Sequence, residues 1–160
     1  MAVRALLLVF AAMTAACSSA AAESTKAGSL TIEQPWARPT IGEAANSAAY
    51  MTIANGGDKP DRLTGVKTEI ATDAMLHESR MEGAVMKMVH LHDGLEIAAH
   101  ATAELKPLGA HVMLMGLKRP LKEGETFPLR LTFAGQGDVT VTVTVAKQQP
   151  AAAEPTHDHK

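Results

Sequence analysis

The chain has 160 residues, 46% hydrophobic and only 3% aromatic, with a formal net charge of -2. That length suits one ordinary domain, whose core must be built from Val, Leu, Ile, Ala and Met. A nearly balanced charge gives no footing for nucleic acid or for an anionic membrane surface. The single cysteine, Cys17, lies near the start, so the domain proper has no disulfide, thiolate nucleophile or Cys-ligated zinc site.

Residues 1–17 have the order of an export signal. Arg4 supplies a positive charge, Ala5 to Met13 form an apolar run too short to span a bilayer, and small residues follow. Cys17 after Ala15-Ala16 resembles a bacterial lipobox, with Thr14 where such boxes usually carry Leu. Two outcomes stay open: lipidation at Cys17, or cleavage after Ala20 or Ala22 to give a soluble periplasmic protein. Residues 18–27, rich in Ala and Ser, read as a flexible leader.

From residue 28 the pattern is of short strands between turn signals. Leu30 to Glu33 alternates and is expected to stop at Pro35. Ala48 to Ala54 runs into Asn55-Gly56-Gly57-Asp58, a turn composition. Arg62–Glu69, Ala74–Met81, Ala84–His92 and Leu95–Ala101 follow, then His111–Leu117, Phe127–Phe133 and the strictly alternating Val139–Val145. Residues 61–76 and 98–105 fit either strand or short helix. The absence of a long 3.6-residue period argues for an antiparallel sandwich or barrel over 28–147. Residues 148–160 read as a disordered tail ending in His157-Asp158-His159-Lys160.

His77, Met88, His111 and Met113 are the candidate metal ligands. Thioether sulfur is soft and suits copper(I), imidazole suits copper as well, and neither attracts calcium or magnesium. With Glu82-Gly83 as a two-residue turn closed by Met81 and Ala84, His77 falls directly opposite Met88, and Ser79 opposite Met86. His111 and Met113 are i and i+2 on another strand and share one face. Met75, Met86 and Met115 are assigned to packing or the rim, and Met81 is a lesser candidate for an extra sulfur. His90, His92 and His100 are read as surface or hydrogen-bonded residues, and Trp36 as packing rather than a cap on the metal. His157 and His159 could hold copper(II) weakly.

These residues resemble the periplasmic copper chaperones called PCuAC, whose pattern is His, ten residues, Met, about twenty-one residues, His-x-Met. His77 and Met88 are separated by ten residues, 78–87, and Leu105 to Lys118 resembles the second half closely. Pro35-Trp36-Ala37-Arg38-Pro39 and Ala48-Ala49-Tyr50-Met51 also look like family segments, so the resemblance covers about residues 28–146. One departure is the twenty-two residues, 89–110, between Met88 and His111. The extra residue is placed near Asp93-Gly94. Ser79 stands where some members carry a further Met.

The resemblance implies a cupredoxin-like β-sandwich or Greek-key barrel with a copper(I) site near the surface. It also implies delivery of copper to the binuclear CuA centre of cytochrome c oxidase, directly or with a thiol-disulfide partner. Sequestration of copper without an oxidase acceptor is the competing reading. A blue-copper electron carrier needs a Cys ligand that this domain lacks. No Ser-His-Asp, paired-carboxylate or phosphate-loop arrangement points to an enzyme.

Overall fold

A computed structural model describes residues 23–149. The export signal with Cys17, and the tail residues His157 and His159, lie outside the described residues. Eleven strands form among them: β1 (Ser24–Ala27), β2 (Leu30–Ala37), β3 (Asn46–Asn55), β4 (Asp61–Lys67), β5 (Ala71–Glu82), β6 (Val85–His90), β7 (Leu95–Ile97), β8 (Thr102–Leu105), β9 (Ala110–Leu117), β10 (Thr126–Phe133) and β11 (Gly137–Val145). The stretches that fitted either strand or helix are β4, β5 and β8, so the described domain is all-β.

The strands hydrogen-bond in the order β6-β5-β9-β3-β2-β11-β10-β4-β7, with β1 also on β2 and β8 also on β3. Every pair is antiparallel except β2 with β11, which run parallel through Trp36–Thr144 and Ala37–Val145. The expectation of a purely antiparallel sheet is corrected at that pair. Just before it β2 carries a bulge, between Glu33 opposite Thr52 and Trp36 opposite Tyr50, where β2 has one residue more than β3. Gln34 takes φ +50° there. The bulge removes the expected stop at Pro35, because a proline at such a site forfeits no ladder bond. The first half of β2 then pairs with β1 and the second half with β11. The last four residues of the segment read as a flexible leader are therefore strand.

The path folds back on itself. Asn55, buried at the end of β3, donates its side-chain amide to the carbonyls of Lys59, Ile97 and Ala98. It thereby ties β3 to β7, the far end of the sheet. Between the layers lies an aliphatic core that includes Leu30, Ile32, Ile53, Leu63, Leu114, Leu129, Leu131, Val141 and Val143, all fully buried. Strict alternation builds it: Phe127, Leu129, Leu131 and Phe133 of β10 face inward, as do Val139, Val141, Val143 and Val145 of β11.

β5 is twelve residues long and outruns this core. Leu76 is buried against Val112 and Leu114 of β9 within the core, whereas Arg80, Met81 and Glu82 are exposed, as are Val85 to Met88 of β6. The β5–β6 hairpin is thus an overhanging ribbon, and it carries sulfur into solvent.

Candidate metal centre

Register brings the candidate ligands onto one face of three neighbouring strands. His77 on β5 lies directly opposite His111 on β9, and Met75 lies opposite Met113. Side chains paired in this way point to the same side of the sheet. Leu76, Val112 and Leu114 take the other side and fill the core. The same alternation that builds the interior therefore lifts His77, His111 and Met113 out of it.

The hairpin register differs from the expected one. His77 is opposite His90, Ser79 opposite Met88, Met81 opposite Met86, and Glu82 opposite Val85. The turn is Gly83-Ala84 rather than Glu82-Gly83. Gly83 has φ +64° while Ala84 stays negative, the pattern of a turn that wants glycine at its first central position. The pairing slips by two residues, an even number, so every side chain keeps its face. Met88 is then diagonal to His77 rather than opposite it. Met88 stands level with Ser79 and Met113 level with Met75, so the two thioethers approach His77 from opposite ends. Long, unbranched Met side chains have the reach that such an approach needs.

A groove of about 490 Å³ runs beside this face and is lined by Met86, Met88, His111 and Met113 together with Tyr50 and Ser79. His77 does not line it and sits half-buried beside His111, with the two ring centroids 6.2 Å apart. Ile41 and Leu108, 91% and 74% exposed, stand on the groove's rim. Met86 is a rim residue, as expected. Met88 is 55% exposed, whereas His111 is buried, so the site is anchored inside and open on the hairpin side.

The ring of His111 is fixed from behind. Its Nδ1 is 3.0 Å from the carbonyl of Gly109, to which an Nδ1–H would donate. That bond leaves Nε2 with a free lone pair, the orientation in which histidine ligates a metal. His77 has the opposite character: its Nδ1 is buried with no hydrogen-bond partner among the described residues. Burial, then the neighbouring His90, hold its pKa below the usual 6.5, and the Met75 backbone offsets only part of that shift. The His77 ring is thus available as a neutral base near pH 7.

No group of three or more His, Cys, Asp or Glu side chains among the described residues is set to hold an ion. A metal held by three or more side chains on this face therefore depends on thioether sulfur, which favours a soft ion.

An aromatic wall backs the site. Trp36 is buried and packs against Tyr50 at 4.6 Å, and Tyr50 lies 6.4 Å from His111. Trp36 is a packing residue, as read from sequence. Burial raises the Tyr50 pKa, and the Arg38 guanidinium 5.7 Å over its ring pulls the other way. His100 is paired with Asp58 at 2.9 Å, away from the metal face. His90 and His92, read as unremarkable surface residues, instead join the cluster. Their ring centroids are 4.0 Å apart, and His90 lies 5.1 Å from His77. The alternation Met86-x-Met88-x-His90-x-His92 was the available signal.

The fold and this face define an all-β, cupredoxin-like domain bearing a histidine–methionine surface. The chain belongs to the LpqE-like family, described as putative lipoprotein LpqE-like, whose profile matches residues 30–145. Uncharacterized protein RP573 of Rickettsia prowazekii is 32% identical over 120 residues, which are 73% of this chain and 66% of that protein. Putative lipoprotein Lxx21020 of Leifsonia xyli is 28% identical over 128 residues, covering 80% and 76% of the two chains. Among solved structures, the copper-bound PCuAC domain from PmoF2 superposes with a TM-score of 0.66 at 25% identity, covering 79% of this chain and 99% of that one. Copper(I)-bound DR1885 from Deinococcus radiodurans gives 0.58 at 37% identity, over 79% and 82%.

Proposed function

We propose that this chain is an exported copper chaperone that carries one copper(I) on His77, Met88, His111 and Met113. The observation that carries the reading is the gathering of these four side chains on one face of β6, β5 and β9, beside an open groove. Likeness to copper-bound PCuAC domains supports it. The family description and a lipoprotein relative support export, with the domain acting in the periplasm, free or held at the membrane through Cys17.

The acceptor on this reading is the CuA-bearing subunit of cytochrome c oxidase or a thiol-disulfide factor that serves it. The chain acts as a carrier, not an enzyme. Two imidazoles and two thioethers are all neutral, so the bound ion keeps its full positive charge. An acceptor that offers thiolates gains electrostatically by taking it. The exposed Met88 lets incoming ligands replace donors one at a time without unfolding the carrier.

The test mixes copper(I)-loaded protein with reduced apo CuA subunit, separates the two, and measures the copper on each. Transfer of one equivalent per chain supports delivery. Retention of copper against the acceptor would leave sequestration as the function.

A further inference from the structure

Four of the chain's seven histidines fall in one cluster, and the proposed carrier uses only His77 and His111. His90 and His92 remain. His90 ends β6 directly across from His77. The His92 ring sits 4.0 Å from that of His90, tilted by 39°. No side-chain hydrogen bond or ion pair to a described residue engages either ring, in contrast with His111 on Gly109 and His100 on Asp58. His90 is half-buried and His92 exposed, so the pair opens to solvent.

Donor chemistry changes along this hairpin. Met81, Met86 and Met88 place soft sulfur toward the turn, while His90 and His92 place borderline nitrogen at the base. Imidazole without sulfur suits copper(II), which prefers tetragonal nitrogen and oxygen ligands and binds such sites more tightly than other first-row divalent ions. We propose that His90 and His92 form a separate copper(II) site, completed by water, next to His77 and two strands over from His111. No third His, Asp or Glu is set to complete the group, so the site is a shallow two-imidazole one. It would hold oxidised copper beside the thioether site. The inference rests on its own residues and stands whether or not the copper(I) assignment does.

The test titrates copper(II) into the full chain carrying His157→Gln and His159→Gln, which removes the tail imidazoles, and records electron paramagnetic resonance. One copper(II) with nitrogen couplings from two imidazoles is expected. Adding His90→Gln and His92→Gln should weaken copper(II) binding by about tenfold or more, in line with the cost of disturbing a metal's ligand environment. The same quadruple variant should keep its copper(I) affinity within about threefold, because His77, Met88, His111 and Met113 are intact. Unchanged copper(II) affinity and couplings in that variant would overturn the site. So would an equal loss of copper(I) affinity, which would make these residues part of the copper(I) site. Failure of the copper(I) assignment shows elsewhere, as unchanged copper(I) affinity after Met88→Ala and Met113→Ala.

Discussion

His77 and His111 face each other across β5 and β9, ring centroids 6.2 Å apart and planes within 24°. The two rings are held differently. His111 is braced by the Gly109 carbonyl, whereas the buried Nδ1 of His77 has no such support among the described residues. One ligand is oriented by a hydrogen bond at Nδ1 and the other is not.

Removing the braced ligand should therefore cost most. His111→Gln is expected to weaken copper(I) binding by more than tenfold, since even outer-shell partners of metal ligands are worth about 10–100-fold. Titration against a competing copper(I) chelator measures it. A change within about twofold would remove His111 from the site.

Acid should act twice on His77. Its folded-state pKa is depressed by burial and by His90, so the folded apo protein binds fewer protons at this ring than the unfolded chain does. Stability from this source is complete above about 6.5 and declines as pH falls through the lowered folded value. Copper(I) affinity should fall over the same window as protons compete with the metal for the His77 ring. Urea midpoints of the apo protein at pH 7.5 and 5.5 test the first part, and His77→Gln should flatten the difference. A midpoint insensitive to pH in the unaltered protein would contradict it.

Asn55 is a fold determinant remote from the metal face. Asn55→Ala leaves the carbonyls of Lys59, Ile97 and Ala98 without their shared donor, and should cost about 1–3 kcal/mol. Urea unfolding reads this as a lower midpoint at unchanged slope. Copper(I) affinity of the folded variant should stay as it was.

Gly83 sets the hairpin register. Its φ of +64° makes Gly83→Ala unfavourable by about 1–2 kcal/mol. Amide exchange should report the loss mainly in β5 and β6, with the β10–β11 pair protected as before. Uniform loss across the sheet would mean that the hairpin is not the separable ribbon described above.

Much of this was readable in the residues, and the misses have physical causes. Strands with inward–outward alternation, such as β10 and β11, follow from period alone. The parallel β2·β11 pair does not, because it lies beyond a bulge at Gln34-Pro35 where Pro35 reads as a strand end. The four candidate ligands are proposed from their types and spacing, and the face they share survives the corrected register. The pairing of His77 with His90 was missed because glycine was placed second in the turn instead of first. Asp93-Gly94, where the extra residue was expected, lies in the turn between β6 and β7, with Gly94 at φ +77°. There it leaves both ligand pairs undisturbed.

The central claim is that one soft ion is held jointly by sulfur from two strands and nitrogen from two imidazoles. X-ray absorption at the copper edge of the copper(I)-loaded protein tests it most directly, comparing the unaltered chain with Met88→Ala and Met113→Ala. The account predicts mixed sulfur and nitrogen scattering, with part of the sulfur shell lost in each variant and all of it in the double variant. A shell of nitrogen alone, or a sulfur signal untouched by either change, would contradict it.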